Sequence, residues 1–163
     1  MKKFLIQSIL LIIAIAAGIF FFSPNSKNID IPFLPQPPIF NELLINEGKL
    51  KVEVADTPSK RSKGLGGRIR LGQNEGMLFV FPKMDKYPFW MKGLIFPLDF
   101  VWIKDNRVVD ILPNIQPPQP NQKDSSLPIY TPNEEVDKVL EINAGVAQKL
   151  NIKAGDSIKL KQL

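Results

Sequence analysis

A run of apolar residues near the N-terminus constrains what this chain can fold into more than any other feature. Residues 4–22 (FLIQSILLIIAIAAGIFFF) are interrupted only by Gln7, Ser8 and Gly18. Because an α-helix rises 1.5 Å per residue, a helix of this length spans about 28 Å, close to the thickness of a hydrocarbon core. A buried core helix fits poorly, because the run is apolar all round and stands at the terminus. We therefore expect a transmembrane helix.

The charges that flank this run predict its orientation. Lys2 and Lys3 precede it and the next basic residue is Lys27, so residues 1–3 are expected in the cytoplasm and the C-terminal part outside the cell membrane. The alternative is a signal peptide cleaved at residues 14–16 (AIA), which would give a secreted protein. Cleavage there would leave an apolar new N-terminus, so we favour an uncleaved, single-pass signal anchor.

A proline-rich linker follows the anchor. Residues 23–40 hold five of the 15 prolines of the chain. Proline favours extended polyproline II geometry of about 3 Å per residue, so we expect a semi-rigid tether. The remaining residues, 41–163, are enough for a single extracytoplasmic domain that buries most of its apolar surface.

The patterning of residues 41–163 predicts an α+β fold that is mainly β. Residues 49–55 alternate as in a half-buried strand, and Thr57-Pro58 starts a short helix that Gly64 ends. Residues 100–103 and 108–112 flank a polar turn and are expected to form a hairpin. We predict strands at 49–55, 77–81, 108–112, 139–142 and 157–161, and two more strands within 89–103 that are divided at Gly93 and Pro97. Pro82 is expected to end the strand at 77–81, and Ile158 and Leu160 are expected to point inward from the last strand. We also predict helices at 58–64 and 144–150 and a loop at 113–128.

These elements favour a small barrel-like sheet, antiparallel or mixed, with two short helices, preceded by one transmembrane helix. Its ending, a short helix leading through Gly155-Asp156 into an alternating strand, is similar to that of small interlocked β-barrels. That similarity carries little weight for function.

Five motifs, taken in order, resemble the prokaryotic family known as domain of unknown function 192. They are residues 61–65 (RSKGL), 76–81 (GMLFVF), 89–92 (FWMK), 97–99 (PLD) and 139–145 (VLEINAG). The resemblance covers about residues 49–160 and implies a small domain, often exported, with no assigned reaction. The chain departs from the pattern at Gly66-Gly67, where the family usually has Met and an aromatic residue, and at Gly93-Leu94, where it usually has Asn-Thr. A polar site built on those family residues would be altered here.

Composition restricts the chemistry. The chain has no Cys and no His, which removes disulfides, thiol nucleophiles, thiolate zinc sites and Ser-His-Asp catalysis. A metal site would need carboxylates and carbonyls, but no acidic cluster has the spacing of a calcium loop. We therefore expect no cofactor and no metal.

The candidate ligand-binding residues are charges in apolar surroundings and members of a basic cluster at residues 60–70 (KRSKGLGGRIR), which contains five cations and no acid. Lys92 and Asp99 lie in the apolar run 89–103 beside Trp90, and Glu141 lies inside an apolar strand. Each is either a polar group of a binding cleft or a charge that is paired for structural reasons. The seven candidates are Arg61, Arg68, Trp90, Lys92, Asp99, Tyr130 and Glu141. Gly64, Gly66 and Gly67, beside the two arginines, could expose backbone N–H groups to an anion.

Anchor, spacer and single domain together suggest a membrane-tethered, non-catalytic binding module outside the cytoplasm. Its expected partner is an anionic envelope component or a protein, and nucleic acid is not expected. One alternative is a hydrolase that uses Asp99 and Glu141, favoured if these acids, Arg61, Lys92 and Tyr130 surround one pocket. The other is a purely structural envelope protein.

Overall fold

The computed structural model describes residues 38–162. The expected anchor at 4–22 and nearly all of the linker at 23–40 lie outside these residues. The α-helices found between residues 38 and 162 have six and four residues, so neither could cross a bilayer.

Seven strands form one mixed sheet with the order β5-β4-β6-β3-β2-β1-β7. The strands are β1 (Phe40–Ile45), β2 (Gly48–Ala55), β3 (Glu75–Asp85), β4 (Leu98–Lys104), β5 (Arg107–Ile115), β6 (Val136–Asn143) and β7 (Ile158–Gln162). The helices are α1 (Pro58–Lys63) and α2 (Val146–Lys149), and a 3-10 turn covers Asp124–Ser126. All neighbouring strands are antiparallel except β2 and β3, which are parallel and are connected through α1.

The sheet curls until its two outer strands meet at one end. Arg107, at the start of β5, bridges Ser157, just before β7. Three backbone hydrogen bonds of 2.8 Å fix this junction, from Val108 N to Asp156 O, from Gly155 N to Val108 O and from Ile158 N to Asn106 O. The sheet is therefore a half-barrel that is closed at one corner.

Apolar side chains pack on both faces of this sheet. Successive strand residues point to opposite faces, so β4 sends Phe100 and Trp102 to a first core and Val101 and Ile103 to a second core. Every residue of β4 from Leu98 to Ile103 is buried. This two-sided burial explains why the strand is a continuous apolar run in sequence rather than an alternating one.

The predicted class, a small mainly-β sheet with two short helices, is confirmed. The hairpin of β4 and β5 turns at Asp105, which has a φ of 56°. Thr57 caps α1 by accepting a 3.3 Å hydrogen bond from Lys60 N, and the helix ends at Gly64.

Two details of the predicted strands are wrong for reasons of pairing. Pro82 does not end β3, which continues to Asp85. The ladder between β3 and β6 is interrupted between Val80 and Asp85. Proline is tolerated there because no backbone N–H is required for the ladder. Residues 89–94 do not form a strand, because their one ladder contact in the described chain is an isolated bridge between Phe89 and Tyr130.

The remaining differences concern strand ends. β1 starts at Phe40, the last residue of the predicted linker, and no strand was expected there. β5 extends to Ile115, into the predicted loop, and α2 is a single turn. Ile158 of β7 is buried in the second core as predicted, whereas Leu160, farther along this edge strand, is 40% exposed rather than inward.

Candidate functional site

The candidate site is an open cleft of about 560 Å³ on the first-core face of the sheet. Helix α1 and the glycine-rich loop at 64–67 form one wall, and residues 87–94 form the opposite wall. Phe79 and Phe81 of β3 and Glu141 of β6 also line it. We call this space the aromatic cleft.

The glycine-rich wall follows from the way α1 ends. Gly64 has a φ of 50°, a left-handed conformation that side chains disfavour. A Cβ built at this position would lie 3.4 Å from Cζ of Phe79. That distance is an ordinary van der Waals contact, so it is the left-handed backbone that favours glycine where the helix end meets the aromatic wall.

The expected anion nest in this loop is not formed. Gly64 N donates to Lys60 O at 2.9 Å, Gly66 N to Lys63 O at 3.2 Å and Gly67 N to Gly93 O at 2.9 Å. These donors stabilise the turn and link it to the opposite wall, so they are not available to a ligand.

Aromatic residues line the cleft, and two of them, Phe79 and Phe89, belong to the first core behind it. Tyr87 stacks on Phe81 with ring centroids 3.5 Å apart, and Phe89 meets Phe79 edge to face at 4.9 Å. Trp90 is 48% exposed at the mouth, an unusual position for the largest apolar side chain. A ligand with a flat apolar face can stack on such a surface.

Arg61 is held rigidly in the wall of the cleft. Its Nη1 donates to the carbonyl oxygens of Asp56 at 2.7 Å and Val80 at 2.9 Å. The guanidinium carbon lies 5.2 Å from the centroid of the Phe81 ring, within cation–π range. Arg61 thus joins α1 to β3 and also places a fixed positive charge at the cleft.

Two lysines add to the positive charge of the cleft. Lys92 Nζ lies 2.8 Å from Asp124 Oδ2 and 5.3 Å from the centroid of the Trp90 ring. Lys63, the last residue of α1, is exposed, and no carboxylate of the described chain forms a salt bridge with it. The rim is therefore cationic on both sides.

Glu141 is the acid of the cleft. It is 4% exposed and stands on β6 between Met77 of β3 and Phe100 of β4. Among residues 38–162, no group donates a hydrogen bond or a positive charge close enough to stabilise its ionised form, and burial alone raises its pKa to about 8. At neutral pH the carboxyl group is mostly protonated, so it can donate as well as accept a hydrogen bond.

Three other predicted residues lie elsewhere. Asp99 is fully buried on the second-core face, where Oδ1 accepts from Asn114 N at 2.8 Å and Oδ2 from Ala147 N at 2.9 Å. Arg68 makes a bidentate pair with Glu53, at 2.5 and 2.8 Å. Tyr130 packs on Phe100 and lines a separate cavity of about 410 Å³ beneath the loop that follows β5.

The structure thus brings together Arg61, Trp90, Lys92 and Glu141. Sequence reasoning missed the aromatic wall of Phe79, Phe81, Tyr87 and Phe89, because clustered phenylalanines are typical of a core. The alternation of Phe79 and Phe81 within β3 was the available signal, since it puts both rings on one face. Between residues 38 and 162, no three acidic side chains gather as they would around a metal ion.

Comparison with known proteins identifies the fold and a family. The model of domain of unknown function 192 (DUF192), described as uncharacterized ACR, matches residues 42–160 and confirms the resemblance carried by the five motifs. A protein from Sinorhizobium meliloti 1021, described as a "putative transcription regulator", is 28% identical, with a TM-score of 0.68 over 79% of this chain and 100% of that chain. A protein of unknown function from Novosphingobium aromaticivorans DSM 12444 is 30% identical, with a TM-score of 0.66 over 74% of this chain and 84% of that chain. No curated protein matches the chain.

Proposed function

The chain belongs to the DUF192 family, and from that premise we propose that residues 41–163 form a non-catalytic binding module whose aromatic cleft takes a component of the cell envelope. In this proposal residues 4–22 anchor the chain, residues 23–40 hold the module away from the bilayer, and the module faces the exterior. The positions of Lys2 and Lys3 and the length of the apolar run support this arrangement.

One observation carries the proposal: a buried acid without a partner in the described structure borders a cleft with aromatic walls. Burying an unpaired carboxyl group disfavours folding, and an apolar residue at position 141 would remove that cost. A site that binds a ligand gains from Glu141, because the carboxyl group can form a hydrogen bond with whatever enters the cleft. A few polar or charged groups placed among apolar and aromatic side chains are typical of binding sites.

Catalysis by paired carboxylates is less well supported. Such a mechanism needs two carboxyl groups on the same side of the substrate site, within about 5–10 Å of each other. Asp99 faces the opposite side of the sheet from Glu141, and both of its oxygens already accept backbone hydrogen bonds. Glu141 therefore stands in the cleft without a second acid, which supports a binding role over hydrolysis.

The description of the Sinorhizobium protein suggests a role in nucleic-acid binding, which the basic cluster of this chain supports poorly. Lys60 pairs with Asp56, and Arg68 pairs with Glu53. Arg61 is bound to backbone carbonyls. Three of the five cations at 60–70 are thus engaged within the domain, whereas nucleic-acid recognition needs a continuous basic surface.

The cleft can be tested with its own tryptophan. We expect the fluorescence of the full chain, held in lipid nanodiscs, to change saturably when fragments of digested envelope are added, because Trp90 stands at the mouth. Trp90→Phe should abolish the change, while Trp102, which is buried in the first core, remains as an internal reference. An identical change in Trp90→Phe, or none with any envelope fraction, would refute the proposed site.

The membrane arrangement needs a separate measurement. We expect protease added to intact cells to degrade residues 41–163, and the mass of the membrane-bound protein to include residues 1–22. A domain that becomes accessible only after lysis, or a mature protein that lacks the apolar run, would refute the tethered arrangement without bearing on the cleft.

A further inference from the structure

The charges that line the aromatic cleft are unbalanced. Three cationic residues line it, Arg61, Lys63 and Lys92, and the acids beside them are Glu141 and Asp124, which pairs with Lys92. Because Glu141 is mostly protonated at neutral pH, it hardly offsets them. An anion entering the cleft therefore meets a net positive field, and a cation is repelled.

The two lysines are better placed than Arg61 to bind an anion directly. Arg61 is committed to the carbonyl oxygens of Asp56 and Val80, so it contributes mainly a fixed charge. Lys63 is exposed, and its ammonium group has no salt-bridge partner within residues 38–162. Lys92 has a partner, Asp124, but both side chains are about half exposed and can exchange partners at little cost.

We propose that the ligand of the aromatic cleft is a small amphipathic anion. Its apolar or aromatic body packs on the rings, and its anionic group pairs with Lys63 and Lys92 at the rim of the cleft. This inference rests on the proposed function, since it names the class of ligand for the same cleft. Trp90 and the stacked pair of Phe81 and Tyr87 supply the surface for the body. The volume of about 560 Å³ suits a ligand of small-molecule size.

The protonated state of Glu141 is compatible with this ligand. A neutral carboxyl group can donate a hydrogen bond to an anion or to a carbonyl oxygen without repelling it. Once ionised, the same group repels an anion inside the cleft, where the dielectric constant is lower than in water. The other titratable groups that line the cleft are Arg61, Lys63, Tyr87 and Lys92.

Three probes with one ring system test the inference. We would titrate the full chain in zwitterionic nanodiscs with 2-naphthylacetate, 2-naphthylethanol and 2-naphthylmethylammonium by calorimetry, and subtract the signal of empty nanodiscs. The anion should bind about 10-fold more tightly than the neutral probe, and the cation more weakly than both, since each exposed charge changes affinity by about threefold to fivefold.

Charge variants then locate the effect. Lys63→Gln combined with Lys92→Gln should reduce anion affinity about 10-fold, to the level of the neutral probe. The matched control, Lys149→Gln with Lys153→Gln, removes two exposed lysines that lie outside the cleft and should change nothing.

The outcomes separate the two proposals. Equal binding of the anion and the neutral probe, or an anion affinity that survives loss of both rim lysines, would overturn the ligand class and leave the binding role intact. Failure of all three probes would also overturn the ligand class. The binding role itself is decided by the Trp90 response to envelope fragments.

Discussion

Asp99 and Glu141 lie on the adjacent strands β4 and β6, one register position apart, and their carboxyl groups point to opposite faces of the sheet. Asp99 pairs with Ile142 across the ladder, and Glu141 pairs with Phe100. On the second-core face Asp99 accepts two backbone hydrogen bonds, whereas on the first-core face Glu141 borders the aromatic cleft. Two buried acids that look alike in sequence therefore have different roles.

Asp99→Asn should reduce stability without a separate effect on binding. The side-chain amide of Asn has one acceptor, its oxygen, whereas its NH2 group is a donor. One of the two backbone N–H groups, that of Asn114 or that of Ala147, would therefore face a donor and lose its hydrogen bond. We expect a loss of about 2–3 kcal/mol in the free energy of unfolding, measured by urea denaturation at pH 7. Asp85→Asn, at an exposed acid, should cost less than about 0.5 kcal/mol. A stable Asp99→Asn protein that no longer binds envelope fragments would contradict this assignment.

Stability should fall as pH rises because of Glu141. Its pKa rises from 4.5 to about 8 on folding, so between these values the folded state holds a proton that the unfolded state has lost. Folding is therefore favoured by acid in this window, and ionisation at higher pH costs at most roughly 5 kcal/mol. Glu141→Gln should remove this slope and be more stable than the parent at pH 9, as urea denaturation at pH 5, 7 and 9 would measure.

Two other acids, whose pKa values are lowered, do not affect the comparison of stability between the parent protein and Glu141→Gln. A hydrogen bond from Lys60 lowers the pKa of Asp56, and one from Asn46 lowers that of Asp156. Their contribution is present above their unfolded pKa and is lost only as pH falls through the lowered value. This occurs below pH 4, equally in both proteins. Parallel stability curves for parent and Glu141→Gln between pH 5 and 9 would show that Glu141 is ionised throughout.

Gly76→Ala should destabilise the centre of the sheet. A Cβ at Gly76 would lie 2.9 Å from both the carbonyl oxygen of Glu141 and Cγ2 of Ile142, so β3 and β6 would have to separate. We expect a loss of about 2–3 kcal/mol in the free energy of unfolding. Gly67→Ala is the control, since its Cβ meets nothing within 4 Å and only its φ of 76° disfavours alanine, by about 1 kcal/mol. A Gly76→Ala protein as stable as Gly67→Ala would contradict the close packing of β3 on β6.

Asp124→Asn should strengthen binding of the anionic probe. Asp124 competes for Lys92, with its oxygen 2.8 Å from Nζ. Removing that charge frees the lysine and deletes a negative charge near the rim, so affinity for 2-naphthylacetate should rise about threefold, measured by calorimetry at low salt.

Asp105→Asn serves as the matched control for Asp124→Asn. It changes an exposed acid in the β4–β5 turn, at a φ of 56° that asparagine tolerates, and should leave affinity unchanged. A gain that persists at high salt would not be electrostatic and would contradict the rim assignment.

Local signals were sufficient to predict most of the fold. Alternation identified β2, the Thr57 cap identified α1, and the polar turn at Asp105 identified the β4–β5 hairpin. β1 was missed because its sequence follows a proline-rich segment and its strand form depends on pairing with β2 and β7. Partners distant in the chain also explain why β3 continues past Pro82.

The site was predictable in most of its charged residues and not in its walls. Arg61 stands out in a basic cluster, and Trp90, Lys92 and Glu141 stand out in apolar runs, whereas Lys63 was not among the candidates. The separation of Asp99 from Glu141 depends on the register of β4 against β6, which no local pattern reveals. The aromatic wall was not predicted because phenylalanine in a strand has the same appearance whether it faces a core or a cleft.

The manner in which the chain enters the sheet has a mechanical consequence. β1 starts at Phe40 and is hydrogen-bonded on both sides, to β2 and to β7. Tension transmitted through the residues before Phe40 pulls along a strand that is secured at both flanks, so two ladders must rupture together before the domain gives way. The start of β1 is thereby held by two ladders, whereas an edge strand would be held by one.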